Sequence, residues 1–412
     1  HWKQAVSWLL VSAMTLSLAA CGASSKDKAA SEGVTTTVAN GSSASGTSDL
    51  NVMLETPVEA LDPQQAVDGT SFEVIADYTD GLYQMDKNGE AVPALAADTQ
   101  ISEDGLSYTF KIRDDAKWSN GDPVTAQDFV FAWQRAVDPK VASEYAYMLS
   151  DVGQIKNAAD IIAGKKDKSE LGVTAVDDKT LKVELNVQVP YFLGLMYFPT
   201  FYPVNQKFFE SCGDTFATSP ETTLSNGAFI LDSYEPAATT LHLKKNPNYY
   251  DAERIKLTGI NYQVIQDSQQ ALMSYQTGAV DTTLVSGEQV DQVKDDPTFH
   301  AIAAGYLWYV VPNISKVKEL SNLNVRLAMT MAINRESITT DVLKDGSIPT
   351  YTAVPIDFAT GPDGSDFAAD QKKFENVCKF DAAAAADYWK KGLAELGVSS
   401  IRLNLVVDAD DV

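Results

Sequence analysis

Short stretches in which apolar and polar residues alternate recur along the chain and predict β-strands. In one of them, Tyr108, Phe110 and Ile112 are separated by single polar residues. An aromatic run at residues 306–311 predicts a buried strand. Further strands are predicted at residues 50–54, 181–185, 229 onward, 241–243, 260–265, 280 onward and 401–407.

Between these strands, apolar residues at helical spacing predict α-helices. Phe129, Trp133, Ala136 and Val137 occupy positions i, i+4, i+7 and i+8, which form one buried face. Thr125 is the predicted N-cap of this helix, and Asp128 completes a capping box with Asp in place of Glu. Other helices are predicted at residues 72–83, 267–278, 322–338 and 381–397. The mixed order of helices and strands, without repeats, predicts two or more α/β lobes.

The size and charge of the chain narrow the class of protein. A chain of 412 residues is too long for one ordinary core and indicates two or three domains. Its formal net charge of −24 argues against nucleic acid and anionic lipid as partners.

The N-terminus carries a predicted targeting signal. Residues 5–20 are mostly apolar but too few to cross a membrane, and they end in Leu18-Ala19-Ala20-Cys21. This ending resembles the bacterial lipobox, in which the cysteine is acylated after cleavage. Residues 1–20 are therefore predicted to be a signal peptide, Cys21 a lipidation site and residues 21–49 a flexible polar tether. The alternative is an uncleaved anchor with an incidental cysteine.

Few residues are available for catalysis or metal binding. The three histidines, His1, His242 and His300, are scattered, and Cys212 and Cys378 lack metal-ligand spacing. A disulfide between these two cysteines stays open. Neither Gly-x-Ser-x-Gly nor His-Glu-x-x-His occurs, which argues against a hydrolase. We therefore expect no catalytic residue, no metal and no cofactor.

An aromatic segment extends from Val189 to Pro203 and is interrupted by prolines. Two interpretations stay open for it. It is either a wall of a binding site or a hydrophobic crossing between two domains.

Several short motifs, taken together and in order, resemble family 5 of the extracellular solute-binding proteins, the oligopeptide-binding components of bacterial ABC importers. The longest is WSNGDPVTAQDFVFAW at residues 118–133. The others are LDP at 61–63, YTFKIR at 108–113, IIAGKK at 161–166 with LGV at 171–173, VPYF at 189–192, SNGAF at 225–229, KNPNYY at 245–250, and NVR at 324–326 with AINR at 332–335.

The resemblance implies a periplasmic-binding-protein-like type II α/β fold, in which two lobes close on a ligand by a hinge motion. Residues 50–80 and 206–305 would form the main lobe, and residues 81–205 an additional, family-specific α/β domain. Residues 306–412 would begin the second lobe. That lobe is longer in the family, so the resemblance also implies that it is incomplete here.

The resemblance further implies a non-enzymatic protein that binds short peptides and delivers them to the permease and ATPase subunits of an importer. It would act on the extracytoplasmic face of the cell membrane, at the cell surface or in the periplasm. The positions that match ligand contacts are Gly69 and Thr70, through backbone groups, with Tyr145, Trp308 and Tyr309 as aromatic contacts. For each aromatic, plain core packing is the alternative.

Two other functions stay open at this point. A receptor of the same fold could bind another solute, such as a nickel chelate, haem or a signalling peptide. A surface adhesin on a lipid tether would bind a surface partner and no tight small ligand.

Overall fold

The computed structural model describes residues 48–406, except residues 88, 236–238, 303–304, 357, 362 and 369–374. The predicted signal peptide, the lipidation site Cys21 and the tether up to residue 47 lie outside the described residues. No helix in the described part is long and apolar enough to span a membrane.

Alternating residues form most of the predicted strands. Within the described residues the strands are β1 (Leu50–Leu54), β2 (Tyr83–Met85), β3 (Ala91–Pro93), β4 (Ala96–Ile101), β5 (Ser107–Ile112), β6 (Val173–Asp177), β7 (Thr180–Glu184), β8 (Phe229–Ser233), β9 (Thr240–Lys245) and β10 (Gly259–Val264).

The helices range from one turn to four. In the described part they are α1 (Gly69–Tyr78), α2 (Ala126–Ala136), α3 (Ala158–Ile162), α4 (Phe192–Leu195), α5 (Gln206–Cys212), α6 (Ser268–Gln276), α7 (Glu288–Val293), α8 (Leu323–Ala332), α9 (Arg335–Ser337), α10 (Glu375–Cys378) and α11 (Ala382–Leu396).

The first sheet has the strand order β1-β10-β9-β8. Strand β1 pairs in parallel with β10, and the other pairs are antiparallel. Helix α1 packs on this sheet through Val74, Ile75 and Tyr78, which are buried. The resulting core joins residues from 54–78 with residues from 202–262.

The second sheet has the order β4-β5-β7-β6, with every pair antiparallel. Helix α2 packs on β6 and β7 and buries Phe129 and Trp133 completely. The predicted capping box is confirmed, because Asp128 accepts from the Thr125 amide at 2.9 Å. The fully buried residues of this second core fall within 82–204, and partly buried residues from beyond it, such as Phe209 and Phe216, pack against them.

The aromatic segment supports the interpretation as a crossing between hydrophobic cores. Phe192 and Phe201 lie in the second core, whereas Tyr202 lies in the core of the first sheet. Tyr191 is the exposed exception. Cys212 and Cys378 are both free thiols, so the disulfide left open by the sequence is absent.

Helices α8 and α11 form the main packed pair in the last hundred residues. Gly392 allows their close approach, because a Cβ there would lie 2.8 Å from the Val325 side chain. As predicted, Asp381 caps α11 by accepting from the Ala384 amide, and Gly397 ends it in the left-handed conformation.

The predicted strand at residues 306–311 is wrong. These residues adopt no regular structure, and Tyr306, Val310 and Val311 are mostly exposed. Residues 401–406 are likewise without strand structure in the described part of the chain. A strand needs a hydrogen-bonding partner as well as an apolar face. No such partner pairs with either segment among the described residues.

Three other predicted elements are shorter than expected. The helix predicted at 322–338 breaks after α8, because the Arg335 guanidinium binds the Thr330 and Ile333 carbonyls and Asn334 starts a new turn. The strand predicted from Val280 is reduced to an isolated bridge between Thr282 and Val52. Helix α1 begins and ends earlier than its pattern indicated.

The early end of α1 reflects a close contact between two segments. The Tyr78 carbonyl accepts hydrogen bonds from the amides of Asn226 at 3.2 Å and Gly227 at 2.9 Å. A Cβ on Gly227 would lie 2.7 Å from the Tyr78 backbone, so only glycine fits there. The Asn226 side chain also accepts from the Asp80 amide at 2.7 Å.

Asp80 is the centre of the junction between the two sheets. Its carboxylate accepts from the hydroxyls of Tyr249 at 3.0 Å and Tyr250 at 2.9 Å. The Arg113 guanidinium, which follows β5, lies 4.0 Å from the centre of the Tyr250 ring. Burial raises the pKa of Asp80 to about 6, although these hydroxyls and the charges of Arg254 and Arg113 lower it.

A buried ion pair joins the same two parts of the chain. The guanidinium of Arg135, on α2, binds both carboxylate oxygens of Asp62 and lies 3.0 Å from the Gln64 side-chain oxygen. The rings of Phe209 and Phe216 cover it at 4.7 and 5.7 Å. Asp62 and Arg135 are each only 9% exposed.

We predict that Arg135→Met lowers the free energy of unfolding by about 3–5 kcal/mol, because it leaves the Asp62 carboxylate buried without its cation. Chemical denaturation measures the loss. Adding Asp62→Asn should recover part of it. Lys165→Met, which removes an exposed ion pair with Asp160, is the control and should change stability little. Equal losses from Arg135→Met and Lys165→Met would contradict the prediction.

A second prediction concerns pH. The folded state holds the Asp80 proton more tightly than the unfolded chain does, because the pKa is about 6 against an ordinary 3.8. Ionisation of Asp80 therefore costs stability as pH rises from 4 to 7, up to about 3 kcal/mol. Relative to the unsubstituted protein, Asp80→Asn should gain stability over that range by this amount, as measured by denaturation at each pH.

Asp104→Asn is the control with the opposite sign. Hydrogen bonds from Ser102 and the Leu106 amide lower the pKa of Asp104, so its carboxylate stabilises the fold most at neutral pH. Relative to the unsubstituted protein, Asp104→Asn should therefore lower the free energy of unfolding more and more as pH rises. If Asp80→Asn and Asp104→Asn follow the same trend, the assignment for Asp80 is wrong.

Candidate ligand-binding site

The first turn of α1 exposes its backbone. Asp68 is the N-cap, and one of its carboxylate oxygens, Oδ1, accepts from the Ser71 amide at 2.8 Å. Gly69 follows and is exposed, and a Cβ built on it would meet no atom within 4 Å. The Thr70 hydroxyl lies 2.7 Å from that of Thr56. A ligand can therefore approach the main chain at Gly69 closely.

Four aromatic rings lie together near this turn, and we call them the Tyr145 cluster: Phe72, Tyr145, Tyr147 and Phe198. The centre of the Tyr145 ring is 5.2 Å from that of Phe72, 5.3 Å from that of Phe198 and 5.6 Å from that of Tyr147. Phe72 and Phe198 are 5.0 Å apart. Such spacings are typical of favourable aromatic packing.

The Tyr145 cluster is only partly buried. Phe72, Tyr145 and Phe198 are half-buried, and Tyr147 is 45% exposed. Its members come from three separate segments: α1, a short turn of 3₁₀ helix at Glu144–Ala146 with the residue after it, and the aromatic crossing. The cluster therefore combines partial core packing with a ring surface that a ligand can reach.

The charges around the cluster are negative. Burial raises the pKa of the Tyr145 hydroxyl, and Tyr147, Tyr306, Asp68 and Glu144 raise it further. The second carboxylate oxygen of Asp68, Oδ2, is buried and has no hydrogen-bond donor among the described residues. This oxygen is covered by protein atoms, so its hydrogen-bonding capacity is unused in the described fold.

Of the five residues predicted from the sequence, the structure brings Gly69, Thr70 and Tyr145 into one region. Trp308 is 81% exposed and Tyr309 is 73% exposed. Among the described contacts, Trp308 packs edge-on against Tyr306 with ring centres 6.0 Å apart, and nothing joins Trp308 or Tyr309 to Tyr145. Core packing, the alternative for these aromatics, is therefore wrong for Trp308 and Tyr309.

Sequence reasoning missed Phe72, Tyr147 and Phe198 as neighbours of Tyr145. Phe72 lies in a helix, as predicted, and Phe198 lies in the aromatic segment for which a binding wall and a crossing were both open. Neither prediction reveals the contact with Tyr145. The high aromatic content of residues 189–203 was the one signal that pointed toward a site. No group of three or more His, Cys, Asp or Glu residues in the described ranges is arranged to hold a metal ion.

Comparison with known proteins adds a family to this geometry. Residues 90–411 match the family model described as bacterial extracellular solute-binding proteins, family 5 Middle. The chain is 34% identical to the dipeptide-binding protein of Lactococcus lactis over 385 residues, which cover 90% of this chain and 69% of that protein. It is also 34% identical to the oligopeptide-binding protein OppA of Bacillus subtilis, over 98% of this chain and 72% of that protein.

A solved structure agrees with these sequence relatives. Listeria monocytogenes OppA bound to peptide superimposes with a TM-score of 0.73 at 37% identity, covering 86% of this chain and 70% of that one. At 37% identity the likeness supports a family relationship as well as a shared fold.

Proposed function

The chain belongs to the bacterial extracellular solute-binding proteins of family 5, and we propose that it captures short peptides and delivers them to an ABC importer. This membership confirms the resemblance found in the sequence and the periplasmic-binding-protein-like α/β fold class. Proteins of this family bind solutes outside the cytoplasm. The peptide as ligand, and the permease and ATPase subunits as partners, belong to the proposal.

One observation carries the proposal within this chain. The open main chain at Gly69, next to Thr70, lies in the same region as the partly exposed Tyr145 cluster. The amides of the first helical turn have no intrahelical acceptor, so they can donate to the backbone carbonyls of an extended peptide whatever its sequence. Ring faces then offer contact to side chains of several kinds. This combination suits a receptor for peptides of varied sequence better than a receptor for one compact solute.

Two exposed aromatic residues add to the proposed peptide-binding site. Trp308 and Tyr309 keep most of their surface free, and Tyr306 acts on the Tyr145 hydroxyl. The Tyr145 cluster would form one wall of the site. We assign Trp308 and Tyr309 to a second, opposite wall, which closes over the ligand through a hinge motion. A receptor that captures a peptide and delivers it does not change the peptide chemically, so we propose no catalytic residue.

The domain division is part of the proposal. Residues 50–80 and 206–305 would form the main lobe, residues 81–205 the additional domain, and residues 306–412 the start of a second lobe. The two separate hydrophobic cores support the first two assignments, since one core draws on residues 82–204 and the other on the segments that flank them.

The proposal that the protein is attached to the membrane is based on its sequence. We propose that Cys21 carries the lipid anchor on the extracytoplasmic side, and that residues 21–49 separate it from the binding lobes.

Native mass spectrometry of the purified protein tests the function. We expect adducts that fragment as short peptides, because a peptide enclosed between two walls can survive purification. Addition of mixed peptides should also raise the thermal unfolding temperature. A single non-peptide adduct would replace the proposal with a receptor for another solute. Absence of both an adduct and a thermal shift would favour an adhesin.

Gly69 provides a test of the site. We predict that Gly69→Val weakens peptide binding at least roughly tenfold, because a branched side chain blocks approach to the backbone. Its free energy of unfolding should change by less than about 1 kcal/mol, since the new Cβ meets no atom. Isothermal titration calorimetry and denaturation measure the two effects.

Gly194→Val is the matched control. Gly194 lies in α4, and its added Cβ would likewise have no atom within 4 Å. Peptide affinity should stay unchanged in this variant. If Gly69→Val binds peptides as tightly as Gly194→Val does, the ligand does not pass over Gly69.

A further inference from the structure

We propose that one end of the second sheet is a docking surface for a basic, partly apolar segment of the importer's permease. The surface, which we call the sheet-end surface, consists of three adjoining segments, residues 101–106, 151–154 and 186–191. The inference rests on the proposed function, because it assumes delivery of the peptide to a permease. It deepens that function by assigning the contact with the permease to the proposed additional domain.

Hydrogen bonds between the three segments hold the sheet-end surface in one shape. The Gln188 side chain donates to the Asp104 carbonyl at 2.7 Å. The Tyr191 hydroxyl donates to the Val152 carbonyl at 3.3 Å. A surface that is already ordered loses little conformational entropy when a partner binds, so the segments are prepared for a contact.

Apolar side chains that project into solvent supply the first reason for a docking role. Ile101, Val187 and Tyr191 are each 50–57% exposed. They lie at the same end of the sheet, because Tyr108, which is paired with Ile101, donates to the Val189 carbonyl at 3.4 Å. Single exposed apolar residues are common, but a group of them on an ordered surface is typical of an interaction site. Tyrosine in particular is enriched at protein interfaces.

The charges of the sheet-end surface supply the second reason. Glu103, Asp104 and Asp151 are exposed, and none of the three segments contains Lys, Arg or His. No ion pair among the described residues reaches any of these three carboxylates. By contrast, Glu184, shortly before the third segment, is paired with Lys156 at 3.2 Å. The uncompensated charge attracts a basic partner and repels anionic lipid or nucleic acid.

The separation of this surface from the candidate peptide site supplies the third reason. The sheet-end surface shares no residue with the Tyr145 cluster or with the first turn of α1. A partner that binds it therefore does not compete with the peptide for the same side chains. Delivery requires such an arrangement, because the receptor must contact the permease while the peptide is still bound.

The test measures binding of the peptide-loaded protein to the permease–ATPase complex of its importer by surface plasmon resonance. The complex is held in nanodiscs of zwitterionic lipid, and empty nanodiscs are the blank. We expect Tyr191→Ser to weaken binding about tenfold. Glu103→Lys combined with Asp151→Lys should slow association about tenfold, and this effect should shrink in high salt.

Matched substitutions at other exposed positions are the controls. Met273→Ser replaces a comparably exposed apolar side chain on α6, and Glu253→Lys combined with Asp295→Lys reverses two exposed acidic charges elsewhere. These control variants should bind the permease complex as the unsubstituted protein does. All variants should keep their peptide affinity, measured by isothermal titration calorimetry, and their thermal unfolding temperature.

Several results would overturn the inference. Weaker peptide binding by Tyr191→Ser would place the surface in the peptide site. Equal binding to empty nanodiscs would make lipid the partner. A dimer that Tyr191→Ser dissociates, seen by analytical ultracentrifugation, would make the partner a second copy of this chain.

The same measurements separate this inference from the proposed function. If the surface variants and the control variants bind the permease complex equally well, docking at the sheet-end surface is wrong but delivery of peptides stands. If the unsubstituted, peptide-loaded protein does not bind the permease complex, the proposed delivery to an importer is wrong as well.

Discussion

The buried pairing of Arg135 with Asp62 is the constraint on which the arrangement of the two sheets depends. Arg135 belongs to the helix that covers the second sheet, and Asp62 belongs to the turn between β1 and α1, which are strand and covering helix of the first sheet. A guanidinium removed from water must have its charge and its donors satisfied, and here Asp62, Gln64 and two phenylalanine rings meet that need in one geometry. Displacement of α2 relative to the first sheet would leave two buried charges unpaired. The relative placement of Gly69 and Tyr145, which come from the two sides of this contact, follows from it.

The most recognisable motifs of the chain gather at the same junction and not at the ligand. Ser119, from the long motif, pairs with Ser225 through a backbone hydrogen bond of 2.7 Å. Asn246 binds the Gly227 carbonyl at 2.8 Å, and Asn248 binds that of Ser119 at 3.0 Å. With Tyr249 and Tyr250 on Asp80, these contacts use three separate motifs to build one polar junction. In this chain these motifs specify the architecture of the junction, whereas the residues of the candidate site lie outside them.

Local signals explain which elements the sequence predicted correctly. The start of α2 depends on Thr125 and Asp128, and the start of α11 on Asp381, so each cap is encoded within four residues. The segments at 306–311 and 401–406 show the limit of such signals, because alternation indicates a face to bury but does not supply a hydrogen-bonding partner. The site was predictable only in part for a related reason. Phe72, Tyr147 and Phe198 reach Tyr145 from separate segments, and their meeting depends on the junction between the sheets rather than on any local pattern.

Helix α1 connects the two regions described above. Its first turn, at Gly69 and Thr70, belongs to the candidate site, and its last residue, Tyr78, is held by Asn226 and Gly227. Ten residues of α-helix span about 15 Å and behave as a nearly rigid rod. A tilt imposed at one end is therefore transmitted to the other, where Tyr249 and Tyr250 bind the adjacent Asp80. The polar junction around Asp80 therefore fixes the direction in which the free amides of the first turn of α1 point.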